Sequence, residues 1–171
     1  NDQIAIGYST VAPEIYYSFH LGAEWRGIGF SAMFQGTANY SAVLNTKSMF
    51  WPLINNTTLS SHYYENRWTP ENQNAKYPRL SSQSNANNYQ TNTILVEDRS
   101  FLKLRNVELY YKFPKNLMQK DKKYWVVQKL YVRGVDLLCF DKIDVADPES
   151  YGATNPLNKS VVVGLKMVFN H

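Results

Sequence analysis

Period-two alternation of apolar and polar residues dominates the chain. From 14 to 24 the odd positions Ile15, Tyr17, Phe19, Leu21 and Ala23 are apolar. Glu14, Ser18, His20, Gly22 and Glu24 between them are polar or small, with Tyr16 the exception. Successive side chains of a strand point to opposite faces, so this pattern predicts a half-buried strand. Trp25-Arg26-Gly27 follows as a tight-turn signal. Over 28–36, Ile28, Phe30, Ala32 and Phe34 alternate with Gly29, Ser31, Met33 and Gln35, which predicts a hairpin of two long strands. Over 99–113 the alternation returns with a slip: Leu102 and Leu104 share a face opposite Lys103 and Arg105, then Val107, Leu109, Tyr111 and Phe113 continue on odd numbers. One extra residue near Arg105-Asn106, a β-bulge, keeps all these apolar groups on one face. Pro114 ends the strand. Residues 128–140 predict a fourth strand, with Leu130, Val132 and Leu138 on one face. Tyr131, Val135, Leu137 and Cys139 lie on the other, which leaves its orientation open. The last strand, 160–169, carries Val161, Val163, Leu165, Met167 and Phe169 on one face, with Val162 and Val168 intruding on the other.

The connections between these strands alternate in length: a tight turn at 25–27, then 39–98, then a basic turn at 114–127, then an acidic loop at 141–159. Consecutive antiparallel strands point opposite ways, so both long loops fall at one end of the sheet and both shorter turns at the other. That is the plan of an outer-membrane barrel. Aromatic placement agrees with it. Trp25, Tyr111, Phe113, Tyr124, Trp125 and Phe169 fall at the short-turn end, and Tyr17, Phe34, Phe101 and Phe140 towards the long-loop end. Membrane barrels carry aromatic girdles at both lipid–water boundaries. The strands are ten to fifteen residues long, against about 5–6 for globular strands and ~9–11 for membrane-spanning ones. Five strands cannot close such a barrel, which needs about eight or more. The expected fold is therefore all-β: antiparallel up-and-down strands forming part of a large transmembrane β-barrel. The start, Asn1-Asp2-Gln3, is neither an initiator nor a targeting segment, which fits a fragment.

Composition narrows the alternatives. Of 171 residues, 44% are apolar, only 19% are charged and 15% are aromatic. Disordered chains are aromatic-poor and charge-rich, and a helical bundle would be dominated by Ala, Leu, Glu and Lys. No apolar run reaches the ~18 residues of a membrane helix. Cys139 is the sole cysteine, so an internal disulfide or a multi-cysteine metal site is excluded. The net charge of +4 suggests nucleic acid at first sight. Residues 112–129, however, hold six Lys and one Asp, a balance of +5, so the remainder sums to −1. The basic turn also lacks the interleaved aromatics of a base-stacking surface, and no nucleic-acid partner is expected. In the long loop, 25 of the 54 residues from 45 to 98 are Ser, Thr, Asn or Gln. Its aromatics (Phe50, Trp51, Tyr63, Tyr64, Trp68, Tyr77 and Tyr89) favour a folded loop.

Several segments resemble one family. Phe101-Leu102-Lys103-Leu104-Arg105-Asn106-Val107-Glu108-Leu109-Tyr110-Tyr111, followed by Pro114-Lys115, is similar to the penultimate-hairpin signature of SusC/RagA-type TonB-linked outer-membrane transporters. So are Arg67-Trp68-Thr69-Pro70-Glu71-Asn72 and Tyr77-Pro78-Arg79-Leu80. Leu130-Tyr131-Val132-Arg133-Gly134-Val135-Asp136-Leu137 resembles the next strand, where Asn is more usual than Asp136. Asp147-Pro148-Glu149 resembles a motif of the last extracellular loop. The resemblance covers nearly the whole chain in the family's order. It departs at Cys139, where Thr or Trp is common, and at Asn170-His171, beyond the terminal aromatic. It implies a barrel of about 22 strands with an N-terminal plug, of which this chain is the C-terminal segment, with 39–98 and 141–159 as extracellular loops. It further implies import of glycans or peptides through the outer membrane of a Bacteroidetes-type bacterium. A SusD-like surface lipoprotein would cap the barrel, and TonB would engage a segment upstream of this chain.

Candidate sites are few. Tyr63, Tyr64 and Trp68 are residue types that stack on sugar rings, with neighbouring Asn and Gln to bond hydroxyls; the competing role is to pack the loop's own core. Asp141, Asp144, Asp147 and Glu149 offer oxygen ligands for calcium, but without the glycine and carboxylate spacing of a calcium loop, so a solvated loop is expected. His20 and Glu24 share a strand face about 13 Å apart, too far to hold one metal, and His62 and His171 are scattered. Neither a nucleophile elbow, a P-loop nor a zinc-protease helix occurs, so neither an enzyme activity, a metal nor a cofactor is expected. An alternating strand ending in Phe169 is, by the resemblance, what barrel-assembly machinery recognises. The rival fold is a soluble β-sandwich module for binding carbohydrate or a partner protein. It would bury Ile15, Phe19, Leu21, Val163 and Leu165 against a second sheet, whereas a membrane wall would leave them exposed.

Overall fold

A computed structural model describes residues 5–83, 85, 87–88, 90, 92–114, 125–150, 155 and 157–169. In chain order the elements are β1 (Ile15–Trp25), β2 (Ile28–Ala38), β3 (Ser41–Val43), α1 (Lys47–Phe50), α2 (Ser61–Glu65), β4 (Val96–Asp98), β5 (Phe101–Lys112), β6 (Trp125–Asp141) and β7 (Ser160–Phe169). Single 3-10 turns lie at Ile54–Asn56 and Thr93–Leu95. The chain divides into two compact units. A sheet unit comprises Tyr16–Gly36, Phe101–Phe140 and Asn158–His171. A loop unit comprises Asn1–Ile15, Thr37–Ser100 and Asp141–Leu157.

The sheet has five strands in the order β1-β2-β5-β6-β7. Each strand neighbours the next long strand in sequence, as an up-and-down wall requires. Arg26 (φ 49) and Gly27 (φ 89) close the first hairpin, both in the left-handed region that two-residue hairpin turns demand. A Cβ on Gly27 would also sit 2.6 Å from the Lys112 carbonyl oxygen, so glycine is required there twice over. Trp125 pairs with Phe169 and Val135 with Ser160, which fixes β6 and β7 as antiparallel. The register shifts between Val127 and Lys129. That irregularity is why periodicity alone starts this strand at 128 and not at Trp125.

The slip expected near Arg105-Asn106 is reflected in burial. Lys103 is buried at 2% accessibility and Leu109 exposed at 58%, although both are odd-numbered. Residues six apart fall on one face of a regular strand, so an extra residue between them, as in a β-bulge, accounts for the change of face. The orientation left open for β6 is resolved by its partners. Lys129 and Arg133 both reach Glu108 on the polar face, and Leu130 and Val132 lie opposite Leu165 and Val163.

The other face of the sheet is apolar and exposed. Ile15 is 47% accessible, Phe19 44%, Leu21 54%, Val163 69% and Leu165 54%. Fully burying a side chain of this size is worth about 1.5–3 kcal/mol. Roughly half of that remains to be gained at each position, so these five represent on the order of 5 kcal/mol. That approaches the entire stability of an ordinary domain, about 5–15 kcal/mol. The soluble sandwich predicts burial for these side chains, and they are not buried.

The aromatic girdle needs one correction. Trp25 is exposed with the Arg26 guanidinium 4.7 Å from its ring, and Tyr111 meets Phe113 edge-on at 5.0 Å. Phe34 stacks on Phe19 at 4.8 Å, and Phe140 is exposed. Phe101, however, is buried at 7% accessibility. It begins β5 on the same phase as Lys103 and Arg105, before the bulge, and so faces the polar side. The backbone of Phe169 ends β7 opposite Trp125; its side chain, Tyr124 and most of the basic turn lie outside the described residues.

The loop unit has its own core of Leu44, Met49, Tyr63, Tyr77 and Leu95, with Val43, Leu59, Leu80 and Val145 packed on it. A small sheet not anticipated by alternation, β3 with β4, pairs Ser41 with Asp98 and Val43 with Val96. Three residues per strand are too few to reveal a period.

Candidate functional site

The stacking candidates are placed by α2. Ser60 caps this helix, its hydroxyl accepting the Tyr63 N–H at 3.1 Å. One turn then sends Tyr63 inward and Tyr64 outward. Tyr63 is 5% accessible and stacks on Tyr77 at 4.7 Å. Its hydroxyl donates to the Pro78 carbonyl at 3.4 Å. Tyr63 is therefore a core residue, and the expected trio does not form one platform. Tyr64 is 51% accessible, but the Arg67 guanidinium already covers its ring at 3.6 Å. Trp68 faces a shallow cleft of about 320 Å³ lined by Arg67, Thr69, Pro70, Arg79 and Leu80.

The two loop motifs quoted above turn out to bind each other. Trp68 N–H donates to the Tyr77 carbonyl at 2.8 Å, and Tyr77 N–H to the Asn66 carbonyl at 3.0 Å. Thr69-Pro70-Glu71-Asn72 closes as a turn, with Asn72 N–H donating to the Thr69 carbonyl and hydroxyl and proline at the position its fixed φ favours. His62 Nε2 lies 3.2 Å from the Tyr77 hydroxyl. Burial pushes the Tyr77 phenol above its ordinary range. Beside it, burial acts to lower the Lys76 pKa, but the hydrogen bond to Glu97 and the charges of Glu97 and Tyr77 together outweigh it and the net shift is upward.

The second long loop folds into the same unit. Arg99 Nε donates to the Pro148 carbonyl at 2.6 Å and Nη1 to the Tyr40 hydroxyl at 2.7 Å. Lys142 pairs with Asp98 at 2.9 Å, and Ile143 is buried. Asp141 accepts the Ile143 N–H, and Asp147 accepts those of Glu149 and Leu157. These two carboxylates thus brace their own loop, and among the described residues no group of three or more His, Cys, Asp or Glu converges as a metal site.

Sequence reasoning did not assemble the polar face of the sheet. Glu108 in β5, its side chain 9% accessible, accepts from Lys129 and from Arg133 Nη2 at 2.5 Å. Arg105 donates to Asp136 at 2.9 Å. Glu24 accepts from Tyr110 at 2.8 Å and Lys112 at 2.5 Å, and His20 bonds Ser31 at 3.1 Å. Asp136 sits at φ 51, in the left-handed region where Asn and Asp are enriched. That accounts for an Asp at a position where the resembled family favours Asn. The signal was present as polar residues recurring on one phase, but the partners depend on register across strands, and the bulge displaces that register.

An exposed apolar face backed by a charged, hydrogen-bonded one defines the class as the wall of an outer-membrane-type β-barrel. No protein-family model matches the chain. The TonB-dependent receptor P26 of Formosa agariphila is 26% identical over 160 residues, covering 87% of this chain and 14% of its own length. The RagAB peptide transporter is 27% identical with a TM-score of 0.71, covering 95% of this chain and 18% of that one. The RagAB peptide importer in its closed-closed state is 28% identical with a TM-score of 0.72, over the same shares. The chain is thus similar over most of its length to a segment of a TonB-dependent receptor and of the RagAB transporter, and it spans less than a fifth of the length of these relatives.

Proposed function

We propose that this chain forms the C-terminal part of the barrel of a TonB-dependent outer-membrane transporter that imports glycans or peptides. In this reading the sheet unit is barrel wall, its apolar face against lipid and its charged face towards the lumen. Residues 39–98 and 141–159 form outer loops at the extracellular mouth, under a SusD-like lipoprotein. TonB engages an upstream segment, and Phe169 serves barrel assembly. In this reading the chain supplies wall and loops and no chemical step, in keeping with matches that are a receptor and transporters. The observation that carries the proposal is the exposed apolar face, from Ile15 in β1 to Val163 and Leu165 in β7.

Full-length protein should be recovered in the outer-membrane fraction and should migrate as a compact band without boiling and an extended one after it. Recovery as a soluble species without heat-modifiable migration would overturn the proposal.

A further inference from the structure

A second exposed cleft in the loop unit lies away from the Trp68 motif. It has a volume of about 310 Å³ and is lined by Asn45, Lys47, Trp51, Ile54, Asn55 and Thr57. Trp51 is 41% accessible and forms part of the cleft wall. Around it stand two side-chain amides, one hydroxyl and one cation. Among the described lining residues Lys47 is the one that carries a charge.

The backbone of this cleft is held in an unusual shape. Leu53 (φ 64), Asn55 (φ 52) and Asn56 (φ 59) all occupy the left-handed region within four residues. Asn tolerates that conformation, but a leucine there is an outlier, and such strain concentrates at ligand sites because the surrounding structure must enforce it. The enforcement is visible. The Trp51 carbonyl accepts from the Thr57 hydroxyl and from Ile54 N–H at 3.4 Å, and Trp51 N–H donates to the Lys47 carbonyl at 2.9 Å. Ile54 is buried beneath. The Trp51 backbone is thereby held in place before any ligand arrives, which lowers the ordering cost of binding.

We infer that this cleft is a saccharide subsite, with Trp51 stacking on a sugar ring, Asn45 and Asn55 bonding its hydroxyls, and Lys47 meeting an anionic substituent. The inference rests on the transporter reading above and deepens it. It moves the sugar-stacking role away from Tyr63, Tyr64 and Trp68: the first is core, the second is covered by Arg67, and the third belongs to a motif that braces the loop fold. The substituent is a carboxylate or a sulfate, which Lys47 alone cannot tell apart.

The test uses the full-length transporter in detergent, titrated calorimetrically with three tetrasaccharides: a uronate, a sulfated one and a neutral one. At least one anionic probe should bind, and more tightly than the neutral one. Trp51→Ala should weaken it at least about tenfold and Trp51→Phe by less, since any aromatic face stacks. Lys47→Gln should erase the preference for the anionic probe. Trp68→Ala should leave affinity within about twofold. The inference is overturned if Trp51→Ala binds as the parent does, if the neutral probe binds as well as the anionic ones, or if only a peptide binds. It is likewise overturned if none of the probes binds. Heat-modifiable migration, measured on the same samples, reports on the transporter reading separately.

Discussion

The two units of this chain solve opposite problems. The loop unit puts Tyr63 and Tyr77 inside and leaves most of its described Ser, Thr, Asn and Gln exposed or half-exposed, as water demands. The sheet unit exposes Phe19, Leu21, Val163 and Leu165 and turns Glu108, Arg105 and Lys129 towards its other face. One chain of modest mean hydropathy, −0.44, thus contains two solvents' worth of patterning. Averaged composition hides this, because the apolar excess of one unit cancels the polar excess of the other.

The contrast can be broken from either side. The largest effect is expected in the loop unit. Tyr77→Ala removes the most buried aromatic among the described residues, at 2% accessibility, together with its stack on Tyr63 and its contact with His62. Truncating a buried aromatic costs about 3–5 kcal/mol. Limited proteolysis of the full-length protein should then cut within 39–98, while heat-modifiable migration survives. Simultaneous loss of both would mean that the two units do not fold separately.

On the sheet, Val163→Arg places a charge on the apolar face. In lipid this costs about 2–4 kcal/mol near the midplane of a barrel strand and little in water. The unfolding temperature of the heat-modifiable band should fall, with loop proteolysis unchanged. An unchanged temperature would remove the lipid assignment of that face. Glu108→Gln is the counterpart on the polar face. It keeps shape but leaves Lys129 and Arg133 without their shared carboxylate. Charged hydrogen bonds contribute about 1.5–3 kcal/mol, and the exposed half of Arg133 recovers some of that in water. A loss of about 1–2 kcal/mol is expected, visible as a smaller drop in the same temperature.

How much of this was legible depended on which signal each unit carries. The sheet was readable because period two survives along ten or more residues, and even the slip at Arg105-Asn106 announced itself. The resemblance through Arg67-Trp68 and Leu130–Leu137 was equally local. The loop unit was not readable beyond being folded. Its core joins Leu44, Tyr77, Leu95 and Val145, residues up to a hundred positions apart with no repeat to connect them. Tyr63 and Tyr64 are adjacent and chemically alike, so only the cap at Ser60 decides which of them faces inward. For the same reason Trp51 could not be ranked above Trp68. What distinguishes it is left-handed backbone at Leu53, and a leucine gives no warning of that.

The smallest effect, and the one that separates electrostatic from apolar support within the loop unit, is at Asp98. Burial acts to raise its pKa, but hydrogen bonds from Ser100 and Lys142 outweigh that, and the carboxyl is held below its ordinary value of 3.8. A folded pKa below the unfolded one means the carboxylate stabilises the unit at pH above that ordinary value. The contribution disappears as pH falls through the folded value. Lys142, raised above 10.5 by its hydrogen bond to Asp98, behaves in the opposite sense: its share is present below that pH and is lost on raising pH through its folded value. The pair is solvent-exposed, with Lys142 75% accessible, so salt should screen it. Proteolysis of the 39–98 segment in the full-length protein, by an acid-active protease across the acidic range, should speed up as pH falls below the carboxylate range. Asp98→Asn should flatten that dependence while leaving the Tyr77→Ala defect undiminished. If Asp98→Asn keeps the full acid sensitivity, the ion pair is ornamental and the apolar core around Tyr77 alone holds the loop unit together.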